Sequence, residues 1–198
     1  MLRLYYARRP DTETAALTAR LPAWRRETLE RLKNEDARRS SLGAGLLWRR
    51  VMEENGLDPD APVRRLGAGK PVLAGGGAWF SLSHSGELCL CALSDGPVGA
   101  DIQKPRPAKL SIARRFCADE RAYLESLPAA EQNDALMVLW ARKEAWVKAM
   151  SRERMLALDE YSVLAGGAPW LFTDFQVEDC FGSVCAAARA AAPERLEI

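Results

Sequence analysis

Trp79-Phe-Ser-Leu-Ser-His-Ser-Gly86, continued by Glu87-Leu-Cys-Leu-Cys-Ala-Leu-Ser94 and Asp95-Gly-Pro-Val-Gly-Ala-Asp-Ile-Gln103, is the stretch whose reading decides the fold. Two apolar runs meet near Ser85-Gly86, and a second turn falls at Asp95-Gly-Pro97. The stretch predicts a hairpin, Trp79–Ser83 with Glu87–Ser94, followed by a third strand, Val98–Gln103. Side chains alternate across a strand, so Val98, Ala100 and Ile102 form a core face and Gly99, Asp101 and Gln103 face the other way. That second face offers a carboxylate and an amide oxygen side by side, with a glycine leaving space beside them. An exposed edge face explains the same pattern. Either way Asp101 is expected off the core, and its loss is expected to leave the protein folded.

Upstream, Leu2–Ala7 reads as a first strand and Thr12–Leu21 as a helix capped by Asp11 or Thr12. Trp24–Asn55 reads as one long helical stretch, basic at first (Arg25, Arg26, Arg31, Lys33, Arg38, Arg39) and apolar later. Gly43 and Gly45 each cost about 1 kcal/mol against Ala inside a helix, which points to another element packed closely there. Residues 58–78 read as loop. Downstream, a Pro-rich link leads to helices at 108–116, 119–127 and 130–150, then to strand candidates near 161–164, 170–177 and 181–188. The order of elements is that of an α+β protein. Leu90-Cys-Ala-Leu93 and Val184-Cys-Ala-Ala187 are similar apolar strand ends, each following a long helix. They suggest two related α+β halves dividing near residue 100.

A net charge of +1 predicts no bulk affinity for nucleic acid. The five cysteines, Cys89, Cys91, Cys117, Cys180 and Cys185, form no C-x-x-C pair, and buried reduced thiols of a cytoplasmic protein are expected. The N-terminal residues carry no long apolar run, so neither a signal peptide nor a membrane span is expected.

Three polar groups interrupt otherwise structural patterns. On the helix carrying Leu136–Lys148, Leu136, Leu139, Trp140 and Val147 make an apolar stripe; Lys143 falls inside it and Glu144 on its margin. Glu144 and Lys148 are spaced for a surface i,i+4 ion pair, but that pair does not explain Lys143, whereas a phosphate contact does. His84, the single histidine, closes an apolar strand at a turn. Ser83, Ser85 and Gly86 beside it supply donors suited to a phosphate, and Lys70 lies on the turn Gly69-Lys-Pro71 just upstream. Two carboxylates, lysines and a histidine are equipment for holding a metal ion against a polyphosphate, so phosphoryl-type transfer is the leading chemistry. Ser83-His-Ser-Gly86 is not the nucleophile elbow of hydrolases, and Gly67-Ala-Gly-Lys70 is not a P-loop.

Taken in order, Gly69-Lys-Pro71, Phe80-Ser-Leu-Ser-His-Ser-Gly86, Val98-Gly-Ala-Asp-Ile102 and Trp140-Ala-Arg-Lys-Glu-Ala-Trp-Val-Lys148 resemble the motifs of the surfactin-type 4′-phosphopantetheinyl transferases. Glu35-Asp-Ala-Arg-Arg-Ser-Ser-Leu-Gly43 looks like the N-terminal motif of that family. The resemblance implies a pseudo-dimer of two similar α+β halves with the active site in the cleft between them. Residues 1–100 would hold the nucleotide end of coenzyme A, and residues 101–198 the metal site and the carrier docking surface. It implies Mg²⁺-dependent transfer of the phosphopantetheine arm of coenzyme A to a serine of an apo acyl or peptidyl carrier protein. Residue by residue, Asp101, Gln103 and Glu144 match metal positions, Glu144 also matching the general base, and Asp101, Glu144 and Lys148 the catalytic set. Arg39, Lys70, Ser83, His84, Lys143 and Lys148 match coenzyme A-binding positions. Gln103 stands where many relatives have Glu, and Ser151-Arg-Glu-Arg-Met155 replaces their Gly-x-Gly. An acidic carrier is expected to dock on the basic segment Lys104–Phe116, whose Ile112 and Phe116 pack inward or meet the partner. A monomer is expected, since a pseudo-dimer has less need of a second copy. The competing reading is a degenerate relative that binds coenzyme A or a carrier protein without turnover; an unrelated metal-dependent phosphohydrolase is a third.

Overall fold

The computed structural model describes residues 1–67, 69–105, 110–150 and 158–198. The predicted hairpin is β4 (Trp79–Ser85) with β5 (Leu88–Ser94). β5 also pairs with β1 (Leu2–Arg8), and β1 pairs in parallel with a short β9 (Glu194–Arg195), giving the order β4-β5-β1-β9. β6 (Val98–Gln103), β8 (Cys180–Ala186) and β7 (Leu171–Val177) form a second antiparallel sheet in the order β6-β8-β7. The helices are α1 (Ala15–Ala19), α2 (Ala23–Glu30), α3 (Glu35–Glu54), α4 (Ala118–Ser126) and α5 (Ala129–Met150), with a 3₁₀ helix over Leu110–Arg115. The architecture is mixed α+β.

Burial explains the layering. All seven residues of β5 are buried, which requires cover on both faces of the first sheet. Cys89, Cys91 and Leu93 face Leu47, Trp48 and Val51 of α3. Leu88, Leu90 and Ala92 face Val98, Ala100, Ile102 and Val184 of the second sheet. α5 then covers the outer face of that second sheet. A Cβ on Gly99 would lie 1.8 Å from the Ala145 carbonyl oxygen, so strand and helix touch backbone to backbone there. This corrects the expected open face on β6: Asp101 lies under α5 and is only 3% exposed.

The two helical glycines do admit close neighbours. A Cβ on Gly43 would meet the Arg9 Cβ at 2.6 Å, and one on Gly45 the Leu21 side chain at 2.6 Å. The expected single helix from Trp24 is two, because Asn34 caps a new start by accepting from the Ala37 amide at 2.9 Å. Residues 58–78 are not all loop: β2 (Val63–Leu66) and β3 (Lys70–Leu73) form a separate hairpin. No strand forms at 161–164. The helix expected at 108–116 lies partly outside the described residues, as do Arg106, Lys109 and the loop Ser151–Met155. Within the described part Phe116 is fully buried, Ile112 is 38% exposed, and Arg114 and Arg115 are exposed. All five cysteines are free, and burial pushes the thiols of Cys89 and Cys185 up to about 12. No helix among the described residues is long and apolar enough to cross a membrane.

Candidate active site

Edge strands β4 and β6 lie side by side without forming a ladder, and side chains satisfy the backbone between them. Ser81 Oγ accepts from the Ala100 amide at 3.0 Å. Two residues along on the same strand face, Ser83 Oγ donates to Asp101 Oδ1 at 2.6 Å. Lys148 Nζ, reaching in from α5, donates to the same oxygen at 2.7 Å and to the Ala100 carbonyl at 3.1 Å. Gln103 Nε2 donates to Asp101 Oδ2 at 2.6 Å. Three donors therefore converge on one buried carboxylate. Burying that charge is tolerable only because it is paired and hydrogen-bonded in this way.

A cavity of about 470 Å³ opens in front of this cluster. Ser83 and His84 of β4, Lys70 at the tip of the β2–β3 hairpin, and Glu144, Val147 and Lys148 of α5 line it. Lys148 pairs across to Asp101, not with Glu144 as the i,i+4 spacing allowed. Among the described residues Glu144 makes no hydrogen bond and no ion pair. Burial first, then the charge of Asp101, raises its carboxyl above the ordinary value, with Lys148 opposing. Partial burial, then the cations Arg25 and Lys148, hold the His84 imidazole below its ordinary value. Lys70 Nζ donates to the carbonyls of Val98 and Lys148, each at 2.6 Å.

Two expected members of the site are elsewhere. Lys143 is fully buried behind α5, where Glu120 pairs with it at 2.8 Å and the carbonyls of Leu158 and Tyr161 accept at 2.6 and 2.7 Å. An ammonium has three N–H donors, and all three are used, so the charge inside the apolar stripe is explained by Glu120 and not by a phosphate. Arg39 does not line the cavity; it donates to the Asp11 carbonyl at 2.8 Å and pairs with Asp36 at 3.3 Å. In its place the structure brings Arg25 and Thr28 of α2, with Arg65 of β2, to the cavity wall. Burial lowers the Arg25 guanidinium to about 10, with Arg65 adding to the shift. The basic run at Arg25-Arg26 was the available signal, but nothing in a run of helical arginines marks which one faces inward.

The lining is thus cationic (Arg25, Arg65, Lys70, Lys148) around one unpaired carboxylate, which suits an anionic, phosphate-bearing ligand. For a divalent ion the seam supplies two carboxylates and one amide, and no group of three or more His, Cys, Asp or Glu able to hold a metal occurs among the described residues. The donor set still fits a hard ion such as Mg²⁺, which takes oxygen ligands and keeps several waters. A carboxylate offers about four lone-pair sites. Asp101 has one left, Glu144 has all of its own, and the amide oxygen of Gln103 is not the atom committed to Asp101.

Residues 97–187 match the model of the 4′-phosphopantetheinyl transferase superfamily. The chain is 35% identical over 164 residues to 4′-phosphopantetheinyl transferase ffp of Bacillus subtilis, an alignment covering 80% of this chain and 73% of that protein. It is 36% identical over 132 residues to 4′-phosphopantetheinyl transferase Sfp of Bacillus subtilis strain 168, covering 65% and 59%. It is 39% identical over 119 residues to 4′-phosphopantetheinyl transferase AcpT of Salmonella typhimurium, covering 58% and 60%. The chain belongs to the 4′-phosphopantetheinyl transferase family, of the surfactin type that its motifs resemble, and is a transferase enzyme.

Proposed function

We propose that this transferase moves the phosphopantetheine arm of coenzyme A to a serine of an apo carrier protein, with Mg²⁺ at the seam between two pseudo-symmetric halves. The observation that carries the reading is the unpaired Glu144 carboxylate beside the Asp101–Lys148 pair, on the wall of a cation-lined cavity. Each half is a sheet with one long helix on its outer face, α3 on the first and α5 on the second, which supports the pseudo-dimer. We place the division in the turn Asp95–Pro97, since a boundary at residue 100 would cut β6. β9 returns to the first sheet, so the second unit is not closed at residue 198.

In this reading Asp101, Glu144 and the amide oxygen of Gln103 would hold the metal. Bound there, Mg²⁺ supplies charge neutralisation at the pyrophosphate. Lys70, His84, Lys148 and Arg25 bind and orient the phosphates of coenzyme A. Glu144 takes the proton of the carrier serine as the serine oxygen bonds to the β-phosphorus. The bond from that phosphorus to the bridging oxygen breaks, and adenosine 3′,5′-bisphosphate leaves with the electron pair. Glu144 suits this role because among the described residues its oxygens are committed to no other partner, leaving one to accept the proton. Ser83 and Gln103, donating to its two oxygens, hold Asp101 in orientation. The acidic carrier docks on the surface of Lys104, Ile112, Arg114 and Arg115, with Phe116 serving as core.

Incubation with coenzyme A, Mg²⁺ and an apo carrier, followed by mass spectrometry of the carrier, tests the proposal. The carrier should gain one phosphopantetheine arm. Coenzyme A binding without any gain would favour the degenerate reading, and phosphate release without carrier a phosphohydrolase.

A further inference from the structure

The side chains of Lys143 and Glu120 are both 0% exposed, and the proposed chemistry uses neither. Replacing a buried ion pair by apolar side chains of similar volume is often neutral or stabilising, so the pair is weak support for the fold as such. What it supplies is direction, because each of its hydrogen bonds fixes where a partner lies. Those partners belong to separate pieces of chain. Lys143 Nζ donates to the carbonyls of Leu158 and Tyr161. Glu120 accepts from the Val163 amide at 2.8 Å, and from the Cys117 amide at 2.9 Å where α4 begins. The pair thus pins residues 158–163 and the entry to α4 against α5 at one point.

Just before Cys117 lies the 3₁₀ helix Leu110–Arg115, which carries Ile112, Arg114 and Arg115. Six residues exceed the three or four usual for this geometry, so the place of the segment depends on what it packs against. Its anchor is Phe116, which is fully buried, with Lys143 Nζ 5.1 Å from the centre of its ring and the Trp140 ring 6.2 Å away. We propose that the Lys143–Glu120 pair is a positioning device for the carrier protein: it sets the strip of Ile112, Arg114 and Arg115 at a fixed place relative to α5. The next residue of α5, Glu144, lines the cavity. Consecutive residues of one helix thus hold the docking strip on one side and the proposed base on the other. The inference rests on the proposed docking surface and explains why a charge is kept where an apolar side chain would fill the space.

Two double variants of the full chain test it. Lys143→Met/Glu120→Leu fills the space without direction, and it should still unfold cooperatively. Amide exchange at Cys117 and Val163 should be about tenfold faster in that variant. KM for an apo carrier should rise about tenfold, while kcat and KM for coenzyme A change by less than about threefold. Lys143→Met/Glu120→Gln removes the charges but leaves an amide that can accept from one backbone N–H and donate to one carbonyl. It should fall between wild type and the apolar variant in both readouts. An apolar variant with wild-type KM for the carrier would overturn the proposal, since filling space would then suffice. So would unchanged exchange at both amides, or a fall in kcat with both KM values unchanged, which reports only lost folded enzyme. If the apolar variant does not fold, the comparison of wild type with Lys143→Met/Glu120→Gln decides by the same criteria. If the wild-type protein modifies no apo carrier, the functional reading falls, while exchange at Cys117 and Val163 still decides whether the pair holds the strip.

Discussion

Removing the Asp101 carboxylate should unfold the seam as well as stop the reaction, and the two effects can be separated. Asp101 is 3% exposed and accepts from Ser83, Lys148 and Gln103. Breaking a buried pair by deleting one partner costs about 3–5 kcal/mol, because the other charge is left behind. The Lys148 side chain is 26% exposed and can turn partly to water, which favours the low end. The orphaned Ser83 hydroxyl and Gln103 amide add to the loss, so Asp101→Ala should cost about 3 kcal/mol. In a chain of this size that lowers the unfolding midpoint by roughly 6–12 °C. Asp101→Asn keeps the volume and an oxygen for Ser83 and Lys148, and Gln103 can rotate its amide to accept from the new NH₂. It should cost about 1 kcal/mol, yet it removes the charge at the proposed metal position and should reduce transfer to a carrier by on the order of a hundredfold. Calorimetry on both variants and carrier mass spectrometry read the two quantities. An Ala variant with an unshifted midpoint would refute the burial argument, and an Asn variant with wild-type turnover would refute the role of the charge.

The unpaired Glu144 gives a pH prediction: with its folded pKa raised, the native state binds the extra proton between the unfolded and folded values, so its contribution to stability falls as pH rises through that window. Glu144→Gln should then be as stable as wild type or more so at neutral pH, lose transfer rate by about a hundredfold, and lose the acid limb of the pH–rate profile. Arg114 and Arg115 are exposed; reversing both to Glu should raise KM for an acidic carrier about tenfold at low salt, less at high salt, and leave KM for coenzyme A unchanged. Gly99→Ala should cost about 3 kcal/mol or more by thermal unfolding, since its Cβ would lie 1.8 Å from the Ala145 carbonyl and neither backbone can yield easily.

What was legible in the sequence was local. The hairpin at Trp79–Ser94, strand Val98–Gln103 and the close-packed glycines of α3 each follow from period, turn chemistry or the cost of a glycine, and they stand in the structure. The hairpin β2–β3 was missed because its strands are four residues long, contain Pro71 and the exposed Arg64 and Arg65, and show no alternation to detect. Lys143 was misplaced for a different reason. A cation inside an apolar stripe signals only that a partner exists, and the partner, Glu120, belongs to another helix. Arg39 and Arg25 carry the same charge in the same basic stretch, and only the break at Asn34, which lets α2 fold back to pack against α3, decides that Arg25 reaches the cavity.

The position of the site follows from the unfinished edges of the two sheets. Had β4 and β6 paired as neighbours in one sheet, the ladder would have consumed Val98 O and both backbone groups of Ala100, and the strands would stand about 4.8 Å apart with no space for a ligand between them. Instead those groups are satisfied by Lys70, Ser81 and Lys148. Edge backbone that must find partners thus draws polar and cationic side chains into a seam between two apolar cores. Once Lys148 is spent on Asp101, the net-cationic wall facing the open Glu144 is left for a substrate that brings its own negative charge. The same contacts that close the fold therefore leave a cation-lined cavity suited to an anionic ligand, and a change at Lys70, Ser81 or Lys148 should act on the joint between the two sheets and on the proposed chemistry together.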